Sequence, residues 1–307
     1  MKKVLTAGLS PAIQKTIIFE RLSKGEVNRA SEYLIDAAGK SINVCRVLTQ
    51  AGINAEALVP VGVESRERFE ALCRRDSIAI TACVTQGRVR YCYTLLDRAD
   101  QSSTEVIVNE PEKISETEEK KFKNLFLEKI EEGIGCVIVS GSRHPGFSSS
   151  VIPFMLEETV KRNISFVADY KGEDLRNSFI GDKIRPDYVK INENEFAQTF
   201  GSGKPSDTET HISSLSIKYN NVFVITRGEK PTIFSDSRGN VKTIASKKLK
   251  PVNTTGCGDA FTAGFAEGVI RRMSLDQAVE RGRDYSAKNA LSLHPGCIDI
   301  REEKQLW

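Results

Sequence analysis

Two glycines flank a cysteine and precede an aspartate in the segment Gly256–Asp259, just before an apolar stretch that is typical of a buried helix. Glycines let the backbone approach an anion closely, and the free N–H groups at a helix start favour negative charge. The Asp259 carboxylate, in the first turn, can accept a proton from an attacking hydroxyl. Because phosphoryl transfer requires mainly positioning and charge stabilisation, an anion hole beside a base predicts that chemistry. A Gly-rich turn with Asp259 as an ordinary helix cap is the alternative interpretation.

A second turn of small residues, Asp36–Gly39, opens another predicted helix, with Lys40 and Asn43 near its start. This arrangement favours a polar pocket for an anionic or hydroxylated ligand at the helix N-terminus. The substring Gly39-Lys40-Ser41 imitates the end of a P-loop, but that motif requires a glycine where the chain has Leu34. The sequence therefore excludes a P-loop NTPase.

Polar residues also stand at predicted strand ends and on a predicted accessory strand. Arg88 and Arg90 lie two apart, so they point to the same side of a strand, although paired surface arginines are often only solvated. Asn192 and Glu195 follow a buried strand, where ligands gather in open α/β sheets, and can position Mg²⁺ through water. The alternative for this pair is a surface loop that runs into a helix with Glu195 in its first turn. Ser140 follows another buried strand and can line a pocket.

Short apolar segments alternate with helical stretches along most of the chain. The predicted strands are Val4–Ala7, Ala57–Val61, Cys136–Val139, Ser165–Ala168, Tyr188–Ile191 and Val222–Ile225. The predicted helices are Ser41–Gln50, Glu116–Glu132, Ser149–Arg162 and 206–219, followed by a helix-rich region over 258–293. This alternation predicts an α/β fold with a doubly wound, mostly parallel sheet and helices on both faces.

Two segments break the alternation. Residues 13–36 and 84–108 contain β-branched and aromatic residues without a helical repeat, so we expect antiparallel strands that form a small accessory sheet. They predict a discontinuous β lid on a main α/β domain made of residues 1–12, 37–83 and 109–307.

Composition excludes several other classes of protein. The chain has 307 residues, seven cysteines, three histidines and a net charge of +3. A charge this close to zero predicts neither nucleic acid nor a membrane as partner, and no apolar run approaches the roughly 18 residues that span a bilayer. Three scattered histidines argue against a zinc site. An odd number of cysteines without C-x-x-C spacing, and an N-terminus without the apolar run of a signal peptide, predict a cytoplasmic location.

Considered together, these motifs resemble the ribokinase-like (PfkB) sugar kinases, and within them the branch of 1-phosphofructokinases and tagatose-6-phosphate kinases. The resemblance runs nearly end to end. Leu5–Ile13 is similar to that branch's TLNPAID opening, Gly25–Arg29 to GEVNR, and Ala38–Val44 to GGKGINV. The remaining matches are Ser140–Ser142, Lys190–Asn192 with Glu195, and Asn253–Asp259.

The resemblance implies an ATP- and Mg²⁺-dependent kinase of a phosphorylated ketohexose, of the fructose 1-phosphate or tagatose 6-phosphate type, with a lid that often pairs two subunits. It implies Asp259 as the base and an anion hole made of Gly256, Cys257 and Gly258. It implies a sugar site with Gln14, Gly39, Lys40, Asn43 and Ser140, and with Arg29 and Arg90 on the phosphate already present. It implies a nucleotide site with Lys190, Asn192, Thr226, Gly228 and Asn289, and Mg²⁺ linked through water to Glu195.

Five positions depart from the family pattern. Gln14 replaces an aspartate that grips sugar hydroxyls, Ala38 and Ser41 replace glycines of the sugar turn, Lys171 replaces a serine, and Pro231 replaces a glycine on the nucleotide side. Glutamine offers no charged acceptor, so recognition of the hydroxyls must differ. Two alternatives therefore stay open: a kinase of an unphosphorylated sugar, polyol or nucleoside, and a ligand-sensing homologue without catalysis.

Overall fold

Alternating apolar and amphipathic segments build two sheets and the helices that cover the larger one. The structure, a computed structural model, describes residues 2–108, 114–179, 184–201 and 208–299. The strands found there are β1 (Lys3–Ala7), β2 (Ala12–Phe19), β3 (Glu32–Ala38), β4 (Ala55–Gly62), β5 (Ala79–Thr85), β6 (Arg90–Asp97), β7 (Ser102–Ile107), β8 (Ile134–Ser140), β9 (Ser165–Asp169), β10 (Tyr188–Asn192), β11 (Val222–Arg227), β12 (Lys230–Ser235) and β13 (Val241–Ile244). The helices are α1 (Lys40–Gln50), α2 (Arg66–Arg75), α3 (Glu116–Ile130), α4 (Val151–Lys161), α5 (Gly172–Arg176), α6 (Glu193–Phe200), α7 (Thr208–Tyr219), α8 (Cys257–Ile270) and α9 (Leu275–Asn289).

The large sheet has the order β13-β12-β11-β10-β9-β8-β1-β4-β5. Its strands from β11 to β5 pair in parallel, and β12 and β13 add antiparallel strands at one edge. The predicted mostly parallel sheet is therefore confirmed, and all six predicted strands lie in it. The predicted helices are also found, except that residues 206–207 of the fourth lie outside the described residues. Parallel pairing matters for the site because it brings the carboxyl ends of several strands to one edge.

The small sheet has the order β3-β2-β6-β7. The expectation of antiparallel strands holds for the pairs β2–β3 and β6–β7, but it is wrong where the two pairs join. There β2 and β6 run parallel, with Ala12 opposite Arg90 and Phe19 opposite Asp97. The reason is that β2 and β6 come from separate segments of the chain, so no hairpin turn fixes their direction.

The helix-rich region predicted after residue 258 consists of α8 and α9, which pack closely. An added Cβ at Gly264 would lie 2.6 Å from the Arg281 carbonyl oxygen, and one at Gly268 would lie 2.6 Å from Ala278 Cα. Three alanines of α8 are also buried: Ala260, Ala263 and Ala266. Small residues thus let the two backbones approach and fix α8, whose first residues open the site. Within the described residues, no helix is both long and apolar enough to cross a membrane.

Candidate functional site

The start of α8 is shaped by a glycine that no other residue type could replace without strain. Gly256 caps the helix in the left-handed conformation, with φ of 83°. An added Cβ there would lie 2.2 Å from the backbone nitrogen of Gly296. This close packing fixes the turn, in which the Cys257 N–H donates to the Thr254 carbonyl oxygen over 3.2 Å. Cys257 and Gly258 begin the helix, and Asp259 lies in its first turn, as predicted.

Asp259 is a buried carboxylate with an environment suited to a base. Burial raises its pKa to about 6, the nearby Lys40 ammonium opposes that rise, and the Asp169 carboxylate adds to it. Asn43 donates its amide Nδ2–H to Asp259 Oδ2 over 2.7 Å. A carboxylate with a pKa near 6 is ionised at neutral pH yet more basic than an exposed one, which suits it to accept a hydroxyl proton. The two predicted turns therefore meet at one carboxylate.

Lys40 lies in the first turn of α1, which Gly39 caps with φ of 101°. Its Nζ is 3.2 Å from Glu195 Oε1 and 3.4 Å from Asp169 Oδ1. Burial alone would lower the pKa of Lys40, but the carboxylates of Asp169, Glu195 and Asp259 raise it well above its ordinary value. Lys40 is thus a permanent cation between three acids.

Asp169, at the carboxyl end of β9, was not predicted as a site residue. Its Oδ2 accepts hydrogen bonds from Ser140 Oγ at 2.8 Å and Thr262 Oγ1 at 3.0 Å. Lys190 Nζ lies 3.6 Å from Asp169 Oδ1 and also donates to the Gly258 carbonyl oxygen over 2.9 Å. The signal available in the sequence was a lone carboxylate directly after a buried apolar strand, which is where parallel sheets bind ligands.

Asn192 and Glu195 lie at the start of α6, as predicted by the alternative interpretation of a loop that runs into a helix. They form a capping box at the start of α6, in which Asn192 Oδ1 accepts the Glu195 N–H at 2.8 Å and Glu195 Oε2 accepts the Asn192 N–H at 3.0 Å. The other carboxylate oxygen of Glu195 contacts Lys40. Asn192 is exposed, so its side chain is accessible from solvent.

A cleft of about 330 Å³ opens beside the first turn of α8. We call it the α8 cleft; among the residues that line it are Thr226, Gly228, Thr232, Leu249, Cys257, Gly258 and Phe261. Mixed apolar and polar walls of this kind suit a small organic ligand. Burial raises the pKa of the Cys257 thiol, so the cysteine is protonated at neutral pH and is not a nucleophile.

Three predicted nucleotide-site residues are not among those that line the α8 cleft: Lys190, Asn192 and Asn289. Asn289 is fully buried: its Nδ2 donates to the Thr255 carbonyl oxygen at 2.9 Å, and its Oδ1 accepts the Cys297 N–H at 2.9 Å. It therefore braces the turn before α8 from behind. Lys190 is also buried, on the far side of that turn, where it holds Gly258.

The sugar-side arginines are separated in the structure. Arg90 begins β6 and lines a small pocket together with Ser10, Arg88 and His144, which we call the arginine pocket. The buried Arg90 Nε has no hydrogen-bond partner within the described residues, and its Nη2 lies 3.5 Å from the Ser10 carbonyl oxygen. Arg29 is exposed in the connection between β2 and β3 and does not line this pocket.

Gln14 and Ser41, two of the residues that depart from the family pattern, both contact neighbouring residues in the structure. Gln14, buried on β2, donates its Nε2–H to Thr94 Oγ1 over 2.8 Å, so part of its amide is already engaged. Ser41 is buried against Gly8, where an added Cβ would lie 1.9 Å from Ser41 Oγ. The extra atoms at position 41 thus occupy the space that a side chain at position 8 would fill.

The other three departures lie in different parts of the fold. Ala38 is buried at the end of β3. Lys171 donates to Gln198 Oε1 over 3.2 Å at the surface. Pro231 is exposed on β12, near the edge of the large sheet, where a missing N–H is tolerated.

Comparison with known proteins gives concordant results. The sequence pattern described as pfkB family carbohydrate kinase matches residues 1–300. A tagatose-6-phosphate kinase of Staphylococcus epidermidis is 23% identical over 307 residues, which cover 99% of this chain and 97% of its own. A 1-phosphofructokinase of Bacillus subtilis is 24% identical over 303 residues, 98% of this chain and 96% of its own. Among solved structures, phosphofructokinase-2 from Escherichia coli in complex with fructose-6-phosphate has the same fold, with a TM-score of 0.85 at 21% identity over 96% of each chain.

Proposed function

Since the chain belongs to the pfkB family of carbohydrate kinases and is an ATP-dependent sugar kinase, we propose that it transfers the γ-phosphoryl group to a hydroxyl of a phosphorylated ketohexose. The proposed acceptor is of the fructose 1-phosphate or tagatose 6-phosphate type. The observation that carries the proposal is the buried Asp259 carboxylate, held by Asn43 at 2.7 Å in the first turn of α8. Asp259 accepts the hydroxyl proton as the new P–O bond forms and the bond from the γ-phosphorus to the ADP oxygen breaks.

The nucleotide is proposed to occupy the α8 cleft, with Thr226 and Gly228 on its wall and its phosphates at the turn of Gly256, Cys257 and Gly258. The backbone N–H groups of that turn stabilise the charge that develops on the transferred group. Because Lys190 and Asn289 hold the turn from behind, we assign them to its positioning and not to contact with the nucleotide.

A prior phosphate on the sugar is proposed to bind in the arginine pocket. The support is chemical: a buried guanidinium N–H of Arg90 lacks a partner among the described residues, and a phosphate oxygen would satisfy it. The pocket adjoins the sugar turn, because its residues Ser10 and Pro11 lie against Gly39. Gln14, Lys40, Asn43 and Ser140 are the proposed contacts of the sugar itself, and Arg29 remains a proposed phosphate contact from the lid.

Mg²⁺ is proposed as the partner of the nucleotide phosphates. Within the described part of the chain, no three His, Cys, Asp or Glu side chains are grouped to hold a metal by themselves. That fits Mg²⁺, which is usually held by one or two carboxylates, several waters and substrate phosphates. Glu195, through water, is the residue that would hold it, and the ion would neutralise phosphate charge during transfer.

The location and assembly of the protein are proposed on separate grounds. All seven cysteines lie in the described residues and are free thiols, which supports a reducing, cytoplasmic compartment. A homodimer is proposed through the small sheet, whose outer face carries apolar side chains.

The decisive experiment is ADP release with Mg²⁺-ATP against fructose 1-phosphate, tagatose 6-phosphate, fructose 6-phosphate and their unphosphorylated parents. We expect turnover confined to phosphorylated ketoses, and a loss of about 10²–10⁴-fold in kcat for Asp259→Asn. Turnover of unphosphorylated sugars alone would overturn the phosphate site but keep the kinase. Sugar binding without turnover by the unmodified protein would favour a ligand sensor.

A further inference from the structure

The Asp169 carboxylate joins four elements at the centre of the site. It lies at the carboxyl end of β9 and is 0% exposed. Ser140 from β8 and Thr262 from α8 donate hydrogen bonds to one of its oxygens, at 2.8 Å and 3.0 Å. Lys40 from α1 and Lys190 from β10 face the other oxygen, at 3.4 Å and 3.6 Å. One anion therefore serves two cations that come from opposite sides.

Each of the two lysines also contacts a second group in the proposed active site. Lys190 donates to the carbonyl oxygen of Gly258, within the turn that faces the α8 cleft. Lys40 contacts Glu195, the carboxylate nearest to the proposed Mg²⁺ position. Without the anion between them, the ammonium groups of the buried Lys190 and of Lys40, whose side chain is 35% exposed, would repel each other.

We propose that Asp169 is a positioning residue, which holds Lys40 toward the sugar and phosphates and Lys190 against the Gly258 turn. The inference rests on the proposed function, because it assigns a role in the same phosphoryl transfer. Asp169 is 0% exposed, so its proposed role runs through the two lysines that it contacts and not through direct contact with the substrate.

The geometry also makes Asp169 an electrostatic neighbour of the base. The charged groups that surround the cluster are Lys40 from α1, Lys190 from β10, Glu195 from α6 and Asp259 from α8. Burial alone would raise the pKa of Asp169, but Lys190 and Lys40 lower it below its ordinary value, so it is ionised. Its negative charge in turn raises the pKa of Asp259. Removing that charge must therefore lower the pKa of the base.

The test is the dependence of kcat on pH for Asp169→Asn, at saturating ATP and sugar so that ionisation of free substrates does not enter. We expect kcat to fall about 10²-fold, because both lysines lose the carboxylate that orients them. Lys40 keeps its ion pair with Glu195 and so stays close to Asp259. On the acid side of the profile, kcat falls as Asp259 becomes protonated, near pH 6 in the unmodified enzyme; we call this part of the curve the acid limb. We expect it to move to lower pH by about one unit in Asp169→Asn. The matched control is Thr262→Val, which removes a hydrogen bond to the same carboxylate but no charge, and its acid limb should stay in place.

The removed charge moves the acid limb in either case, so kcat above that limb decides: a merely structural Asp169 would lower thermal stability but leave this kcat within a few-fold of that of the unmodified enzyme, which would overturn the proposal. If Asp169→Asn does not fold, Lys190→Met is compared with the double variant Asp169→Asn/Lys190→Met, which removes the carboxylate and one cation together. The proposal then requires a lower kcat above the acid limb in the double variant than in the single one, because Lys40 has also lost the carboxylate that orients it. If the proposed substrate class is wrong, the unmodified enzyme will turn over only unphosphorylated sugars. The kcat–pH profiles of the variants are then compared with such a sugar as the acceptor.

Discussion

At the scale of single residues, the base Asp259 lowers stability in return for reactivity. Burial raises its pKa from 3.8 to about 6, so the protonated form of Asp259 is favoured more in the folded protein than in the unfolded chain. The ionised form is therefore unfavourable at neutral pH, and this destabilisation disappears as the pH falls through 6 toward 4. Since asparagine mimics the neutral acid, it should remove the penalty while it abolishes proton transfer.

We expect Asp259→Asn to raise the free energy of unfolding by about 2–3 kcal/mol at pH 7.5. The gain should shrink to nearly zero at pH 4, where both proteins carry a neutral group. Urea unfolding at the two pH values measures the difference directly. An equal gain at both pH values would show that the effect does not come from the charge. Asn289→Ala provides the opposite control, because it leaves buried backbone groups unpaired and should destabilise at every pH.

At the scale of elements, the end of β1 and the start of α1 share one small volume. Ser41 of α1 fills the space in front of Gly8, so a threonine at position 8 would clash with it. We expect Gly8→Thr to destabilise by about 1–3 kcal/mol, as overpacking does in a buried position. Adding Ser41→Gly should recover most of that loss, because it empties the contested space. A double-mutant cycle by denaturant unfolding measures the coupling.

The cycle should give a coupling free energy larger than about 0.5 kcal/mol, since the effects of substitutions at independent sites on the free energy of unfolding add to within that value. Additive effects would mean that Gly8 and Ser41 do not share the space. The kinetic prediction is that Ser41→Gly alone leaves the KM for the sugar nearly unchanged, because the serine side chain is turned against Gly8.

Sequence reasoning succeeded for those elements whose signal is local. Apolar runs located the parallel strands, and glycine turns located the starts of α1 and α8, because backbone conformation and strand burial are written in a few neighbouring residues. It failed where the outcome depends on distant partners. The parallel pairing of β2 with β6 joins separate segments, and Asp169 gains its importance only because Lys40 and Lys190 converge on it.

The candidate site also contains some features that a local sequence signal predicts and others that depend on distant contacts. The meeting of Asn43 with Asp259 brings together two turns that the sequence identified separately. Asn289 is different: its residue type and position do not reveal whether its amide faces a ligand or the backbone of Thr255. Only packing decides that: in the structure this amide donates to the Thr255 carbonyl oxygen, which is the reason for the positioning role proposed above.

At the scale of the whole molecule, the small sheet has two unlike faces. One face turns Gln14 and Thr94 toward the site, where both are buried. The alternate residues form the outer face, which consists of Lys15, Ile17, Tyr33, Ile35, Tyr91, Tyr93, Leu95 and Val106. Tyr33 is 59% exposed and Val106 44% exposed, which is unusual for contiguous large apolar side chains on a monomer. This face is the surface through which we propose that two chains pair.

Ile17 lies at the middle of the outer face, opposite Tyr33 on one neighbouring strand and Leu95 on the other. We expect Ile17→Glu to dissociate the dimer, because an unpaired carboxylate buried at an interface is disfavoured by several kcal/mol. Ile217→Glu is the matched control: this isoleucine lies on α7 and is 62% exposed, so the same charge there should leave assembly unchanged. Sedimentation velocity over a range of concentrations should give the mass of two chains for the unmodified protein and the control, and of one chain for Ile17→Glu. A single-chain mass for the unmodified protein would overturn the dimer, whereas dissociation of the control as well would mean that the contact lies on another face.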